Sequence, residues 1–191
     1  MDFTRTLHAP EATEASTDSL TELMIRPLKV NDAGLLAAAY ERNRGHLAPW
    51  EPRRSDVFFT REGQEQVVQG KLQQQELGSE MPWVITDGPN IVGAMTLSGI
   101  VHGPFRSANL GYWIDHGLTG RGLATKAVQE VLEMARNGLG LHRVQAATLV
   151  HNDASQAVLK RSGFERIGVA PSYLNIAGRW QDHILFQRIL F

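Results

Sequence analysis

The sequence predicts one α/β (α+β) domain built on a twisted sheet of mixed, mostly antiparallel strands. Three observations support this. A chain of 191 residues with 42% hydrophobic content can bury one sizeable core. Its patterns follow the order strand, two helices, three strands, helix, strand, helix, two strands, which gives about seven strands and about four helices. Short turns join the early strands, whereas a helix separates the strand ending at Ile114 from the strand starting at Arg143, so both pairing directions are expected.

In the N-terminal part, residues 24–28 have strand character, and two helices follow. The first helical pattern covers residues 33–44, with Asn31 or Asp32 able to cap its free amides. The second pattern covers residues 60–77, and its first residue, a threonine, is the expected cap. Its thin apolar stripe among many glutamines predicts a largely exposed helix.

The remaining elements are read from alternation, helical spacing and turn residues. The turn Asp87-Gly88-Pro89-Asn90 predicts an antiparallel hairpin, and a third strand completes a meander. Asn152 opens a short helix that Gly163 closes. The further predicted strands are residues 83–85, 91–97, 108–114, 143–150, 164–169 and 180–189, and the longer helix is residues 123–135.

Composition narrows the function. The formal net charge of -1 and the pI of about 6.7 argue against nucleic acid as the main partner. The absence of cysteine excludes disulfides, thiolate metal sites and a cysteine nucleophile, and no metal is predicted. Residues 88–105, the longest uncharged run, carry too many glycines and prolines for a membrane span. Residues 1–22 lack the pattern of a signal peptide, so we expect a cytoplasmic protein with a flexible or loosely docked tail at residues 1–22 and one domain at residues 23–191.

A glycine-rich turn, residues 117–125, joins a strand to an amphipathic helix. The first amides of that helix lack intrahelical partners, and glycines let a ligand approach the backbone, so the turn suits a pyrophosphate. Arg121 can add a positive charge. The same glycines also fit a tight connection with no ligand. Two other phosphate-binding motifs are absent. A P-loop would end in Gly-Lys-Ser or Gly-Lys-Thr, whereas this turn ends in Gly-Leu-Ala. A dinucleotide-binding fingerprint would be followed by an acidic residue about twenty positions on, and none lies near Gln145.

Several motifs around this turn together resemble a known family. They are Leu110-Gly-Tyr-Trp-Ile-Asp, Gly120-Arg-Gly-Leu-Ala-Thr, Asn152-Asp-Ala-Ser155, Gly163-Phe164 and the closing segment from Tyr173 to His183. With them, residues 24–191 resemble the GNAT N-acetyltransferases, specifically the RimJ/RimL branch. The resemblance implies acetyl-CoA as cosubstrate and a GNAT-like sheet in which a splayed strand pair holds it.

The resemblance also implies which residues bind the cosubstrate. Backbone groups of Ile114 would pair with the pantetheine arm, and Asn152 would contact the pantetheine or the acetyl end. The pyrophosphate would lie on the turn formed by Gly120, Arg121, Gly122, Leu123, Ala124 and Thr125. The family motif usually opens with glutamine or arginine where this chain has Gly117, but the contact there is mainly through the backbone.

The resemblance leaves the catalytic groups less complete. The tyrosine that many GNAT enzymes use to protonate the leaving thiolate aligns with Leu159, so we expect Ser155 to stabilise the thiolate, unless that serine only supports a helix cap. For the base that deprotonates the amine, His102 is the first candidate, although it also reads as an exposed loop histidine. Asp182 and His183 are the next candidates. A glutamate base suggested for some relatives aligns near Leu174, so this sequence does not keep it.

The acceptor groove is expected beside the loop after the first helix. Trp50 could cover an acceptor side chain and Glu51 could attract a cationic amine, or the tryptophan could simply close the edge of the domain. Tyr173 is the third candidate, with a core ring as its alternative. We expect acetyl transfer to a primary amine, with a protein N-terminal α-amine, as in ribosomal-protein acetylation, as the first hypothesis. A small-molecule amine acceptor and a non-catalytic acetyl-CoA sensor are the alternatives, and a homodimer would be consistent with the family.

Overall fold

The computed structural model describes residues 3–7 and 23–191, which form one eight-stranded sheet and five α-helices. The strands are β1 (Arg5–Leu7), β2 (Leu23–Pro27), β3 (Glu80–Asp87), β4 (Asn90–Val101), β5 (Ser107–Ile114), β6 (Arg143–Leu149), β7 (Glu165–Ile176) and β8 (Arg179–Ile189). The helices are α1 (Ala33–Arg42), α2 (Arg44–Leu47), α3 (Arg61–Glu76), α4 (Leu123–Asn137) and α5 (Asp153–Arg161). Within these described ranges, no helix combines the length and the apolar character needed to cross a membrane.

The sheet is mostly antiparallel, as the sequence predicts. Its strand order is β1-β2-β3-β4-β5-β6-β8-β7, and β5 with β6 is the parallel pair. That pair is short, because only residues 107–109 of β5 are in register with residues 143–145 of β6. Beyond this point the two strands separate, while β4 stays paired with β5 as far as Ile114. The predicted splayed strand pair is therefore present, and the gap opens toward the C-terminal end of β5.

Helices cover the two faces of the sheet because successive strand residues point to opposite sides. Helix α4 places its apolar stripe, centred on the fully buried Val128 and Val131, in the same cluster as Trp83 of β3. The neighbouring Val84 faces the other way and packs with Leu36 of α1 and with residues of α3. Fully burying an aliphatic side chain of this size contributes about 1.5–3 kcal/mol. The α4 cluster therefore anchors the helix that begins at the glycine turn.

The structure differs from the sequence prediction at the N-terminus. Residues 5–7 of the expected tail form β1, which pairs antiparallel with β2 at the edge of the sheet. The ring of Phe3 packs edge-on against Trp83, with centroids 6.3 Å apart. Residues 8–22 of the expected tail lie outside the described residues. A three-residue strand carries too little periodicity to be read from sequence.

The helix predicted at residues 33–44 is divided in two. Asn43 leaves helical geometry with φ -101° and ψ 8°, and its buried side chain donates to the carbonyl of Ala39 and to Asp115. Asp32 precedes α1 without capping it, because its carboxylate accepts hydrogen bonds from Arg26 and from the amide of Lys29. The predicted cap of the next helix is confirmed, since the Thr60 hydroxyl accepts from the third amide of that helix at 3.1 Å.

Candidate active site

The gap between β5 and β6 opens into the larger of two cavities described here, which has a volume of about 440 Å³. Its wall comes from the end of β5, the glycine turn with the first turn of α4, and helix α5. Helix α2 and the loop after it close another side with His46, Leu47 and Trp50. Three chain segments distant in sequence therefore converge where the sheet splits.

Ile114 presents its backbone to this gap. The amide of the next residue, Asp115, donates to the carbonyl of Val92 on β4. Because backbone groups alternate between the two sides of a strand, the N–H and C=O of Ile114 face away from β4 and toward the missing part of the β5–β6 ladder. A ligand with amide groups can therefore add to β5 as a further strand would.

The glycine turn has the backbone geometry that its sequence predicts. Gly120 and Gly122 have φ of 77° and 74°, in the left-handed region that glycine adopts without a steric penalty. Gly122 lies immediately before α4, so the free amides of that helix face the cavity end of the turn. The cavity is lined by all but one of the predicted cofactor-binding residues, namely Ile114, Gly120, Gly122, Leu123, Ala124, Thr125 and Asn152. Arg121 is exposed and does not line it.

Asp115 fixes the position of this turn. One carboxylate oxygen accepts from the amide of Gly117 at 3.0 Å, and the other accepts from Arg42 and Asn43, both at 2.8 Å. Burial acts to raise the pKa of Asp115, but the hydrogen bonds from Asn43, Arg42 and Gly117 outweigh it and hold the pKa below its usual value. An ionised carboxylate thus ties the turn to the end of α1.

Asn152 and Ser155 open helix α5 on the opposite wall. The Oδ1 of Asn152 accepts from the amide of Ser155 at 3.1 Å, as a helix cap does. This cap uses the backbone of Ser155 and leaves its hydroxyl for another partner. The Oγ of Ser155 lies 2.8 Å from the hydroxyl of Tyr112 on β5, so the cap explanation does not account for that hydroxyl. Both side chains line the cavity.

The candidate bases lie in different places. His102 follows β4 at the end where Val101 pairs with Ser107, and five residues of strand, about 17 Å, separate that position from Tyr112. His102 does not line the cavity, so the geometry gives its predicted role no support. Of the described residues that do line it, His46, Tyr112 and Arg161 carry titratable side chains, and histidine is the residue type that most often serves as a general base.

Asp182 and His183 have structural contacts. Asp182 accepts from the amide of Ser172 at 2.8 Å, at an irregular stretch that lets β7 continue beyond its predicted end at residue 169. His183 is buried, and its Nδ1 donates to the carbonyl of Gln181 at 2.9 Å. Neither residue lines the cavity. The hydrogen bond of Asp182 joins β8 to β7, whereas that of His183 lies within β8.

The predicted acceptor residues divide between two cavities. Trp50 lines the large cavity, with its ring 5.6 Å from that of His151. Glu51 lines a second cavity of about 390 Å³ that shares Leu47 with the first. Burial raises the pKa of Glu51, an effect that the nearby Arg54 reduces. Tyr173 lines neither cavity and packs its ring 5.6 Å from His183.

Comparison with known proteins identifies the family. Residues 22–165 match the family model described as "Acetyltransferase (GNAT) domain". The chain belongs to the GNAT acetyltransferase family. Over 165 residues it is 33% identical to the [Ribosomal protein uS5]-alanine N-acetyltransferase of Escherichia coli, covering 85% of each protein.

Solved structures of GNAT enzymes agree with this assignment. The ribosomal-protein-S5-alanine acetyltransferase of Vibrio fischeri superposes with a TM-score of 0.84 at 35% identity, over 92% of this chain and 97% of that one. RimJ of Mycobacterium smegmatis, in complex with CoA-disulfide, superposes with a TM-score of 0.88 at 29% identity, over 97% of this chain and 86% of that one. The predicted resemblance to the RimJ/RimL branch is confirmed.

The expected departure from the usual GNAT tyrosine acid stays a prediction. Leu159, which the resemblance aligns with that tyrosine, is fully buried within the α4 cluster. The three titratable residues of the cavity wall, His46, Tyr112 and Arg161, are absent from the site residues predicted from the sequence. Tyr112 lies inside the motif that starts at Leu110, and its place in the alternation along β5 is a usable signal. His46 and Arg161 carried none, because only the folding of α2 and α5 around the gap brings them there.

Proposed function

We propose that this enzyme transfers the acetyl group of acetyl-CoA to the N-terminal α-amine of a protein, with ribosomal proteins as the leading acceptor class. The observation that carries the proposal is the cavity at the β5–β6 gap, with a glycine turn at one end and Ser155 on its wall. The activity in the name of the E. coli relative supports the acceptor class. The complex of RimJ with CoA-disulfide supports the cosubstrate.

The residues of the cavity fit acetyl-CoA by their chemistry. Bound acetyl-CoA would supply the thioester whose acetyl group is transferred. The outward-facing N–H and C=O of Ile114 match the amide groups of a pantetheine arm. The free amides after Gly122 match a pyrophosphate. Arg161 on the cavity wall, and the exposed Arg121 in the turn itself, can each supply a positive charge for phosphate oxygens.

The transfer exchanges a carbon–sulfur bond for a carbon–nitrogen bond. The attacking amine must give up a proton, because an ammonium group has no lone pair. We assign to His46 the role of accepting this proton. The sulfur leaves with the electron pair of the broken bond. We assign to Ser155 the hydrogen bond that stabilises this negative charge. No covalent enzyme intermediate is required.

The acceptor would enter beside the loop at residues 48–54. Trp50 lies at the cavity wall and provides a flat apolar contact for the first acceptor side chain. The tip of the β7–β8 hairpin is tied to this loop, since the amide of Ala177 donates to the carbonyl of Glu51 at 2.9 Å. Glu51 in the adjoining cavity would attract a cationic amine. The acceptor role of Tyr173 stays a prediction, since Tyr173 lines neither cavity.

The test measures thiol release from acetyl-CoA in the presence of candidate amines. Because the protein contains no cysteine, all thiol detected comes from CoA. We expect peptides with a free N-terminal alanine or serine to accelerate release, and the same peptides with a blocked N-terminus to be inert. Acceleration by polyamines or amino-acid amides alone would favour a small-molecule acceptor. CoA binding without acceleration by any amine would favour the sensor alternative and refute the proposed transfer.

A further inference from the structure

Tyr112 and Ser155 form a hydroxyl pair inside the cavity. Tyr112 belongs to β5 and Ser155 to the first turn of α5, 43 residues apart in sequence. Their oxygens are 2.8 Å apart, a normal distance for an O–H···O hydrogen bond, and both residues line the cavity. Because β5 and β6 have separated at this level, nothing in the sheet ladder spans the gap here.

The direction of this hydrogen bond follows from the chemistry of the two groups. A phenol is the stronger donor, and an aliphatic hydroxyl oxygen is the better acceptor. Within the described part of the chain, Tyr112 is the hydrogen-bond partner of Ser155 Oγ. The alternative acceptor for the phenol, the carbonyl of Ser155, lies at a poorer 3.4 Å. With Tyr112 donating to Ser155 Oγ, the proton of Ser155 is left to point elsewhere in the cavity.

Tyr112 stays a donor across the useful pH range. Burial raises its pKa to about 12, although the hydrogen bond with Ser155 acts to lower it. A neutral phenol also places no negative charge beside a departing thiolate.

We propose that Tyr112 is a positioning residue for acetyl transfer, donating to Ser155 Oγ so that the Ser155 proton points at the thioester sulfur. The two hydroxyls then act in series on the leaving group, where Leu159 cannot act. Neither hydroxyl has to lose its proton, because the hydrogen bonds stabilise the negative charge on the sulfur without a proton transfer. This inference rests on the proposed function.

The kinetic test is a double-mutant cycle with Tyr112→Phe and Ser155→Ala. We expect Ser155→Ala to lower kcat about 10- to 100-fold with little change in KM for acetyl-CoA. Tyr112→Phe should lower kcat about 2- to 10-fold in the wild type and have no further effect when residue 155 is alanine. Equal effects of Tyr112→Phe in both backgrounds, or an effect on KM alone, would overturn the inference.

A second measurement does not need turnover. The pKa of the CoA thiol in the binary complex is titrated by the ultraviolet absorbance of its thiolate, as the difference between the complex and the protein without CoA, and no cysteine of the protein contributes to it. We expect the wild type to hold this pKa below that of each variant, Tyr112→Phe and Ser155→Ala. The matched control is Ser162→Ala at the end of the same helix, whose buried hydroxyl has no partner within the described residues and which should match the wild type. An unchanged thiol pKa in Tyr112→Phe would refute the inference.

The two tests also separate this inference from the proposed function. If no amine is acetylated, the proposed function fails, and an unchanged thiol pKa in the variants would show that the hydroxyl pair fails as well. If amines are acetylated and the cycle is additive, the transfer stands and Tyr112 has only a structural role. Melting temperatures of all variants establish that each compared protein is folded.

Discussion

Gly120 is the residue of the glycine turn at which a single substitution tests the backbone geometry through both stability and CoA affinity. Its φ of 77° lies in the left-handed region, and a methyl group added there would meet no atom within 4 Å. Gly120→Ala therefore introduces backbone strain without a steric clash. Gly117→Ala is the matched control, because Gly117 belongs to the same turn, lacks a positive φ and would place its methyl at an ordinary 3.4 Å from Asp115.

The magnitude follows from comparing the two variants. Both replace glycine by alanine and restrict the unfolded chain equally, so that contribution cancels in their difference. The remaining difference is the free energy of holding alanine in the left-handed conformation, about 1–2 kcal/mol. If the turn keeps its shape, Gly120→Ala should melt about 2–8 °C below Gly117→Ala. If the turn relaxes instead, its amides move and the Kd for CoA should rise about 5- to 30-fold.

The assay combines thermal denaturation with calorimetric titration of CoA for both variants. The two effects share one strain energy, so their sum in free energy should reach at least about 1 kcal/mol. A Gly120→Ala protein that matches Gly117→Ala within about 1 °C in melting temperature and about two-fold in Kd would refute the reasoning. The turn would then not require its left-handed glycine.

Three further predictions concern titratable groups. Asp115→Asn should lower the free energy of unfolding by about 2 kcal/mol at pH 7. Because the folded-state pKa of Asp115 is lowered, the difference between variant and wild type in urea unfolding should disappear as the pH falls below about 4. A difference that is independent of pH would contradict this. His46→Gln should reduce kcat/KM about 100-fold at pH 7, whereas His102→Gln should not, and the reverse result would restore His102 as the base. Glu51→Gln should raise the melting temperature at pH 7, since burial raises the pKa of Glu51 and its ionised form opposes folding. The same substitution should raise KM for a cationic acceptor. A lower melting temperature together with a lower KM would contradict the assignment of Glu51 to the acceptor site.

Much of the cofactor site could be predicted because it is encoded locally. The glycines at 120 and 122, the helix that follows and the cap at Asn152 each depend on a few neighbouring residues. Their geometry is set by allowed φ values and by free helix amides, which a sequence reports directly. The same holds for the order of strands and helices, where only the short β1 and the break at Asn43 were missed.

The catalytic wall could not be predicted in the same way. His102 looked suitable because it leaves a strand beside a turn, yet the register of β4 with β5 puts it at the far end of that strand pair. His46 reaches the cavity because α2 folds against the end of the sheet. Tyr112 meets Ser155 because β5 and β6 part after three residue pairs, leaving α5 to close the gap.

The sequence by itself determined the family, the α/β order of elements and the left-handed glycine turn, because each of these depends on local pattern and backbone sterics. Only the tertiary structure decided which polar side chains share one cavity. Strand register and the point where the sheet splits are set by the packing of the whole core, so a contact such as that of Tyr112 with Ser155 exists only after folding.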